Sequence, residues 1–419
     1  MTSSRRFEHE LPAALTELAT APYPAYIEDV LRVTSRTRRR PVWQFPRRWI
    51  PIEVGPRLRP VVIVGVVVLV ILALLITFVG SWQHRLPRPF GPAANGVVAF
   101  ALDGQGYVAT LDGPARPLID GPGEELGLTF SNDGTKLAFI RLAGATETFW
   151  AAAGDGSGQT QLLADPVGEP LSFSWSPDGT EIALSYPIRG VSRIVIVRVD
   201  GTGSRILDLD FPAADPTWRP PDGRELLVRR TDRRTGELDV VAPDGSSVRS
   251  VGVTGKGLLG GRWDAGGAAW SPDGALIAYH TVDGEAGSER LRVHVVRADG
   301  THDRVMSTSP PVSQEAWPVW SPDGRSIAIQ RWTTEGDSRI AVLPLDGGAA
   351  PPSIGPRHEF QRDEGWSTIW SPDGTHLLVR WDDTADKERS AYLVDPVTGD
   401  FQRVEWSIAD HPTWQRVAP

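Results

Sequence analysis

Few residues of the chain have both the type and the spacing that catalysis requires. Ser157 lies in the segment Gly-Asp-Gly-Ser-Gly, whereas the nucleophile elbow of a hydrolase has a glycine two residues to either side of its serine. The pair His358-Glu359 lacks the second histidine of a zinc-protease helix. Four acidic residues carry oxygen ligands suited to Ca²⁺, at a spacing unlike that of the twelve-residue calcium loop: Asp382, Asp383, Asp386 and Glu388. We therefore predict no catalytic residue, no cofactor and no metal site.

The overall composition favours an all-β fold over one built of long helices. The 419 residues include no cysteine, which excludes disulfides, thiolate metal sites and cysteine nucleophiles. They include 43 glycines, 36 prolines and 16 tryptophans. Because glycine and proline favour turns and tryptophan is a bulky packing residue, this composition predicts many short β-strands. Any functional residue should therefore be positioned by strands and the loops between them.

A five-residue string recurs along the chain. Trp-Ser-Pro-Asp-Gly begins at four tryptophans, and variants of it begin at Phe130 and Trp218. Proline, aspartate and glycine each favour a tight turn, and a short apolar segment follows each string, so the pattern predicts strand, turn, strand. We assign structural rather than chemical roles to the repeated positions. They are Phe130, Asp133, Gly134, Trp175, Asp178, Gly179, Trp218, Asp222, Gly223, Trp270, Asp273, Gly274, Trp320, Asp323, Gly324, Trp370, Asp373, Gly374 and Trp414.

The repeats are spaced like the blades of a β-propeller. Successive string aspartates are 44 to 51 residues apart, and a second Asp-Gly turn follows in each unit, so each unit supplies about four strands. The segment at Asn95-Gly96 has no preceding strand, and Pro412-Thr413-Trp414 begins a unit that stops at its turn. Joining the two ends predicts a seventh blade that closes the ring; six blades is the alternative.

At these residues the chain resembles the WD40-like Pro-Asp repeat family, the propeller type of the C-terminal part of the periplasmic protein TolB. The resemblance covers residues 95–416 and implies an all-β disc whose faces bind proteins. Since both repeated turns fall on one face, we expect loops of variable length, and a ligand or partner, on the other. The candidate residues there are Arg229, Arg230, Arg233, Arg234, Arg262, Trp263, Asp264, His358, Glu359, Asp363 and Trp366. The corresponding loops are predicted at 229–237, 252–267, 280–290, 353–367 and 381–389.

An uncharged stretch precedes the repeats. Val61–Val79 contains 19 residues, which span about 28 Å as a helix, close to the thickness of a bilayer's hydrocarbon core. Arginines crowd its N-terminal side, and such residues are retained in the cytoplasm. We predict a cytoplasmic segment at 1–59, a single transmembrane helix at 60–80 that acts as a signal-anchor, a linker at 81–94, and a propeller outside, in periplasm or cell-wall space.

Charge limits the partners of these parts. Residues 1–59 carry a net charge of +5 and residues 60–419 a net charge of −14, so we predict no nucleic-acid partner for the larger part. The favoured function is a non-enzymatic binding domain for a protein or envelope ligand. The alternative is a transmembrane sensor whose residues 1–59 bind a cytoplasmic partner, because two short helices expected at 11–18 and 25–33, one crossing and an exterior domain resemble membrane-bound anti-sigma factors. An enzyme on the variable-loop face is the third alternative.

Overall fold

The computed structural model describes residues 90–417, apart from 145, 164–171, 189, 233–236, 253–266, 285–288, 307–312, 334–335, 348–351, 360–365, 384–387 and 410. Within these residues every regular element is a β-strand, and no helix has the length and apolar character needed to cross a membrane. The predicted transmembrane helix and cytoplasmic segment lie outside the described residues. Contacts divide the chain into two units, Met1–Gln83 and His84–Pro419.

The strands form seven antiparallel sheets of four strands each, which confirms the seven-bladed all-β prediction over the six-bladed alternative. From the channel outward, blade 1 consists of β28 (Thr413–Val417), β1 (Ala94–Leu102), β2 (Gln105–Ala109) and β3 (Arg116–Pro117). Blade 2 consists of β4 (Glu124–Phe130), β5 (Lys136–Ala143), β6 (Thr146–Ala153) and β7 (Thr160–Leu163). Blade 3 consists of β8 (Ser172–Trp175), β9 (Glu181–Ile188), β10 (Val191–Arg198) and β11 (Ser204–Ile206).

The remaining four blades repeat this order. Blade 4 consists of β12 (Ala213–Trp218), β13 (Leu226–Arg230), β14 (Glu237–Val241) and β15 (Val248–Ser250). Blade 5 consists of β16 (Ala268–Trp270), β17 (Leu276–Asp283), β18 (Arg290–Arg297) and β19 (Arg304–Val305). Blade 6 consists of β20 (Ser313–Trp320), β21 (Ser326–Thr333), β22 (Asp337–Pro344) and β23 (Ile354–Glu359). Blade 7 consists of β24 (Trp366–Trp370), β25 (Leu377–Asp383), β26 (Glu388–Val394) and β27 (Phe401–Arg403).

The two ends of the chain meet in blade 1, as the sequence predicts. β28 pairs antiparallel with β1, with Trp414 opposite Val98 and Thr413 opposite Ala99. Trp414 is 7% exposed and packs in a cluster that includes Val98 and Phe100. Every inner strand thus belongs to a complete sheet, and the ring has no open edge at the seam.

The core lies between the blades. Second strands such as β9 and β21 are buried over most of their length, because both of their faces pack against a neighbouring blade. Residues with opposite orientation on one strand therefore belong to different clusters: Ile182 and Leu184 contribute to one cluster, and Ala183 to the next. This two-sided burial explains why these segments are continuously apolar rather than alternating.

Because the strands are antiparallel, the string turns and the Asp-Gly turns share one face of the disc, which we call the turn face. The other connections form the loop face. On the turn face the string turns of blades 3 to 7 contact the string turn of the preceding blade. Gly274, for example, has a φ of +68°, and a Cβ there would overlap the carbonyl oxygen of Pro220.

Replacing Gly274 by alanine should therefore destabilise the propeller by about 3 kcal/mol, since left-handed strain adds to overpacking between two backbones. Gly190 is the matched control: its φ is +77°, but a Cβ there meets nothing within 4 Å. Gly190→Ala should cost only about 1 kcal/mol. Urea denaturation of the two purified variants measures the difference, and equal midpoints would show that the turns do not pack as described.

Candidate functional site

The repeated tryptophans connect neighbouring blades. The indole N–H groups of four of them donate to a backbone carbonyl of the preceding blade's inner strand, at 3.0 to 3.1 Å: Trp175, Trp270, Trp320 and Trp370. Trp414 instead donates to the carbonyl of Gly96 at 3.3 Å, and the indole nitrogen of Trp218 is buried without a hydrogen-bond partner. The five paired indole N–H groups are engaged in the fold, which leaves them little capacity to bind a ligand.

The carboxylates of the repeated aspartates accept hydrogen bonds within their own turns. Asp373 accepts hydrogen bonds from the Ser371 hydroxyl at 2.6 Å and from the Thr375 backbone N–H at 3.0 Å. Partial burial opposes ionisation, but these hydrogen bonds outweigh it and hold the pKa of Asp373 below its usual range. Asp133 and Asp178 make the same contacts. A carboxylate held in this way is a structural acceptor rather than a general acid or base.

The first two arginines predicted on the loop face are strand residues, so the predicted loop at 229–237 is wrong at its start. β13 extends through Arg230 because both residues pair with β14. Arg229 donates to Asp215 at 2.7 Å, and Arg230 contacts Asp239 at 2.9 Å while lying 3.6 Å from the ring centre of Phe211. Intramolecular ion pairs thus satisfy both guanidinium groups.

The other candidates predicted on the loop face form two groups: those outside the described residues and those that lie in strands. Arg233, Arg234, Arg262, Trp263, Asp264 and Asp363 lie outside the described residues. His358 and Glu359 end β23 and Trp366 begins β24, so these three belong to strands rather than to the predicted loop at 353–367. The loop predicted at 280–290 also starts later, since β17 extends to Asp283. No group of three metal-ligating side chains occurs in the part of the chain that the structure describes.

The inner strands surround a cavity at the centre of the ring, the central channel. It has a volume of about 590 Å³, within the range of small-molecule sites, and residues from the inner strands and the turn face line it. Seven aromatic residues contribute to the wall: Phe90, Phe173, Trp270, Trp317, Trp320, Trp370 and Trp414. Among the described lining residues the single formal charge is that of Arg416, whose guanidinium donates to the carbonyl of Gly91. The channel is therefore an aromatic, weakly charged cavity.

One position of the inner strands distinguishes the blades. Three residues before each repeated aromatic residue the chain carries Gly127, Ser172, Asp215, Gly267, Trp317, Ser367 and His411. Four of these have left-handed φ angles: +61° at Gly127, +55° at Asp215, +76° at Gly267 and +52° at Trp317. Left-handed φ is ordinary for glycine, but for a bulky residue it is an outlier that marks strain or function. Trp317 is the exceptional member of this set.

Trp317 lies beside a buried histidine. Its ring stacks on Trp332 with centroids 5.6 Å apart and meets the His280 ring edge-on at 5.9 Å. The Trp317 backbone N–H donates to His280 Nδ1 at 3.3 Å, and His280 Nε2 is buried without a hydrogen-bond partner. Burial lowers the pKa of His280 to about 4. Neither residue was predicted as a site residue from the sequence, although the bulky side chain three residues before Trp320 is visible there.

Comparison with known proteins supports the fold and part of the sequence resemblance. No protein-family model matches the chain. It is 29% identical over 161 residues to the Tol-Pal system protein TolB of Thioalkalivibrio sulfidiphilus, a match that covers 38% of this chain and 32% of that one. The chain thus spans about a third of the length of this curated relative.

Two examples stand among the solved structures that are similar to the chain. An oligogalacturonate lyase in complex with manganese has a TM-score of 0.52 at 14% identity, over 75% of this chain and 84% of that one. TolB from Acinetobacter baumannii has a TM-score of 0.47 at 14% identity, over 78% and 81%. At such identities structural likeness concerns the fold alone. One of the two proteins is named as a lyase, which is an enzyme. The chain is a seven-bladed β-propeller with a segment similar in sequence to TolB.

Proposed function

We propose that this chain is a non-enzymatic binding protein, anchored in the cytoplasmic membrane by residues 60–80, whose propeller binds a protein partner or an envelope ligand outside it. The observation that carries the proposal is the aromatic channel. Its cavity of about 590 Å³ is lined by Phe90, Phe173 and Trp317 together with four of the repeated tryptophans that also hold the ring together. Aromatic walls with few charges are typical of binding sites.

The sequence supports the anchor and the partial relative supports the binding role. Val61–Val79 is long enough to span a bilayer, and arginines flank it on the side expected to be cytoplasmic. The similarity to TolB favours an interaction domain, because that relative is named as a component of the Tol-Pal system.

The test is affinity purification of the full-length protein from native membranes, followed by mass spectrometry. A second protein lacking residues 1–59 is purified beside it. The proposal predicts that both proteins capture the same envelope partners. It also predicts that a reporter which functions only in the cytoplasm is inactive when it is fused after Pro419. A reporter active only in the cytoplasm contradicts the predicted topology, and turnover of a substrate by the purified protein contradicts the non-enzymatic role.

The alternative role as a transmembrane sensor has one observation in its favour. Phe90 and Gly91, the first described residues, line the channel, and Ala93 donates to the Pro372 carbonyl at 2.8 Å. A ligand in the channel would therefore touch the segment that leads back to the predicted anchor. A cytoplasmic regulator recovered only with the protein that retains residues 1–59 would favour the sensor.

A further inference from the structure

We infer that the channel is a binding site for an uncharged saccharide, with the indole of Trp317 as its platform. This inference rests on the proposed binding function and names the ligand class for the same channel. Three features of the described residues carry it: the conformation of Trp317, the polar groups along the channel wall, and the near absence of charge there.

The conformation of Trp317 is the first feature. Its φ of +52° places a bulky side chain where blades 2 and 5 have Gly127 and Gly267. The ring is half-buried, lines the channel, and is fixed by stacking on Trp332. A strained backbone persists only where the surroundings enforce it, and such strain concentrates at binding sites. The result is a rigid, partly exposed indole face, and a flat aromatic face packs well against the C–H groups of a sugar ring.

Polar groups on the wall are the second feature. In every blade the inner strand lies at the edge of its sheet, so the side of that strand that faces the channel pairs with no other strand. Ser367 and Thr368 also line the channel, each 5% exposed, and neither hydroxyl oxygen has a hydrogen-bond partner. Unpaired donors and acceptors favour a polyhydroxylated ligand over a hydrocarbon chain, which would leave them unsatisfied.

The weak charge of the wall is the third feature. No carboxylate lines the channel among the described residues, and the one guanidinium, that of Arg416, already donates to Gly91. An acidic sugar would lose its hydration without finding a free cation to pair with. A cationic ligand would lose its hydration without finding a carboxylate. The wall therefore selects a neutral saccharide of a size that a cavity of about 590 Å³ can hold.

The test is titration of the purified full-length protein with cellobiose, maltose and N,N′-diacetylchitobiose, followed by tryptophan fluorescence and calorimetry. We expect saturable binding of at least one of these neutral disaccharides and none of a disaccharide that contains a uronic acid. Trp317→Gly should weaken the affinity at least tenfold while the protein remains folded, since glycine occupies this position in blades 2 and 5. Trp150→Phe, which alters a tryptophan absent from the channel wall, should bind as the parent does.

Thr368→Val provides a second variant that preserves shape and removes one unpartnered hydroxyl, and its affinity should fall severalfold. Saturation by none of the three disaccharides overturns the inference, as does parental affinity in both channel variants. Binding of a proline-rich peptide that depends on Trp317, with no saccharide bound, overturns the ligand class. These failures differ from failure of the proposed function, because envelope partners would still be captured from native membranes.

Discussion

Deletion of residues 413–419 should abolish cooperative folding of the propeller. The deletion removes β28, the inner strand of blade 1, and with it every pairing between the two ends of the chain. Val98 and Phe100 are fully buried in the intact protein and would lose Trp414 from their cluster. β1 would become an unpaired edge strand facing the channel. Removal of a buried tryptophan alone costs about 3 to 5 kcal/mol, a large part of the 5 to 15 kcal/mol that stabilises an ordinary domain.

Circular dichroism and urea denaturation of the purified protein measure this effect. The matched control ends at Val417, keeps all of β28, and should unfold like the parent. Trp414→Ala provides a graded intermediate, expected to lower stability by about 3 kcal/mol or more without removing the strand. A deletion of 413–419 that unfolds at the parental urea concentration would contradict the closure of the ring through β28.

Acidification should destabilise the propeller through His280 in the range between pH 6.5 and about 4. His280 is fully buried, and burial lowers its pKa from 6.5 to about 4. The neutral imidazole is therefore the form that the fold accommodates, so its contribution to stability is complete above pH 6.5. As the pH falls, the unfolded chain binds a proton that the folded chain does not accept, and about 3 kcal/mol of stability is lost by pH 4.

His280→Gln is the variant that isolates this effect. Gln330 stands at the corresponding position of blade 6, six residues after the string glycine, so glutamine is compatible with that place in a blade. Urea denaturation across pH 4 to 7 should show a shallower loss of stability for His280→Gln than for the parent. Parallel pH profiles would show that His280 does not carry the acid sensitivity.

The titration of His294 should not obscure the effect of His280 on stability. Burial alone would lower its pKa, but hydrogen bonds with Asp303 at 3.3 Å and Asp283 at 2.9 Å outweigh burial and raise it. Its contribution is therefore complete below pH 6.5 and is lost as the pH rises above that value. The turn aspartates, whose pKa values are lowered, lose their contribution only as the pH falls below about 3.8. Burial raises the pKa of Glu125 above its usual 4.5, so the contribution of Glu125 changes in the opposite sense as the pH falls. The difference between the parent and His280→Gln, rather than either pH profile alone, therefore reports on His280.

The sequence could predict much of this fold because the information is local and repeated. Proline, aspartate and glycine in one string favour a turn through their own backbone preferences, and the string recurs at the spacing of a propeller blade. Asn95-Gly96 and Pro412-Thr413-Trp414 predicted the closure because each is half of a pattern that is complete elsewhere. The ends of strands were less predictable: Arg229 and Arg230 look like loop residues until their partners Asp215 and Asp239 are placed beside them.

The sequence by itself determined the repeated strand-turn-strand units and the structural use of residues such as Trp320 and Asp323, and it favoured seven blades over six, because local turn preferences repeat in a chain that can close on itself. Only the tertiary structure decided what surrounds the channel. Whether Trp317 points into a cavity, and whether His280 is buried and neutral, depends on contacts between residues of different blades. Such contacts leave no periodic mark in the sequence, since each is made once, by side chains far apart along the chain.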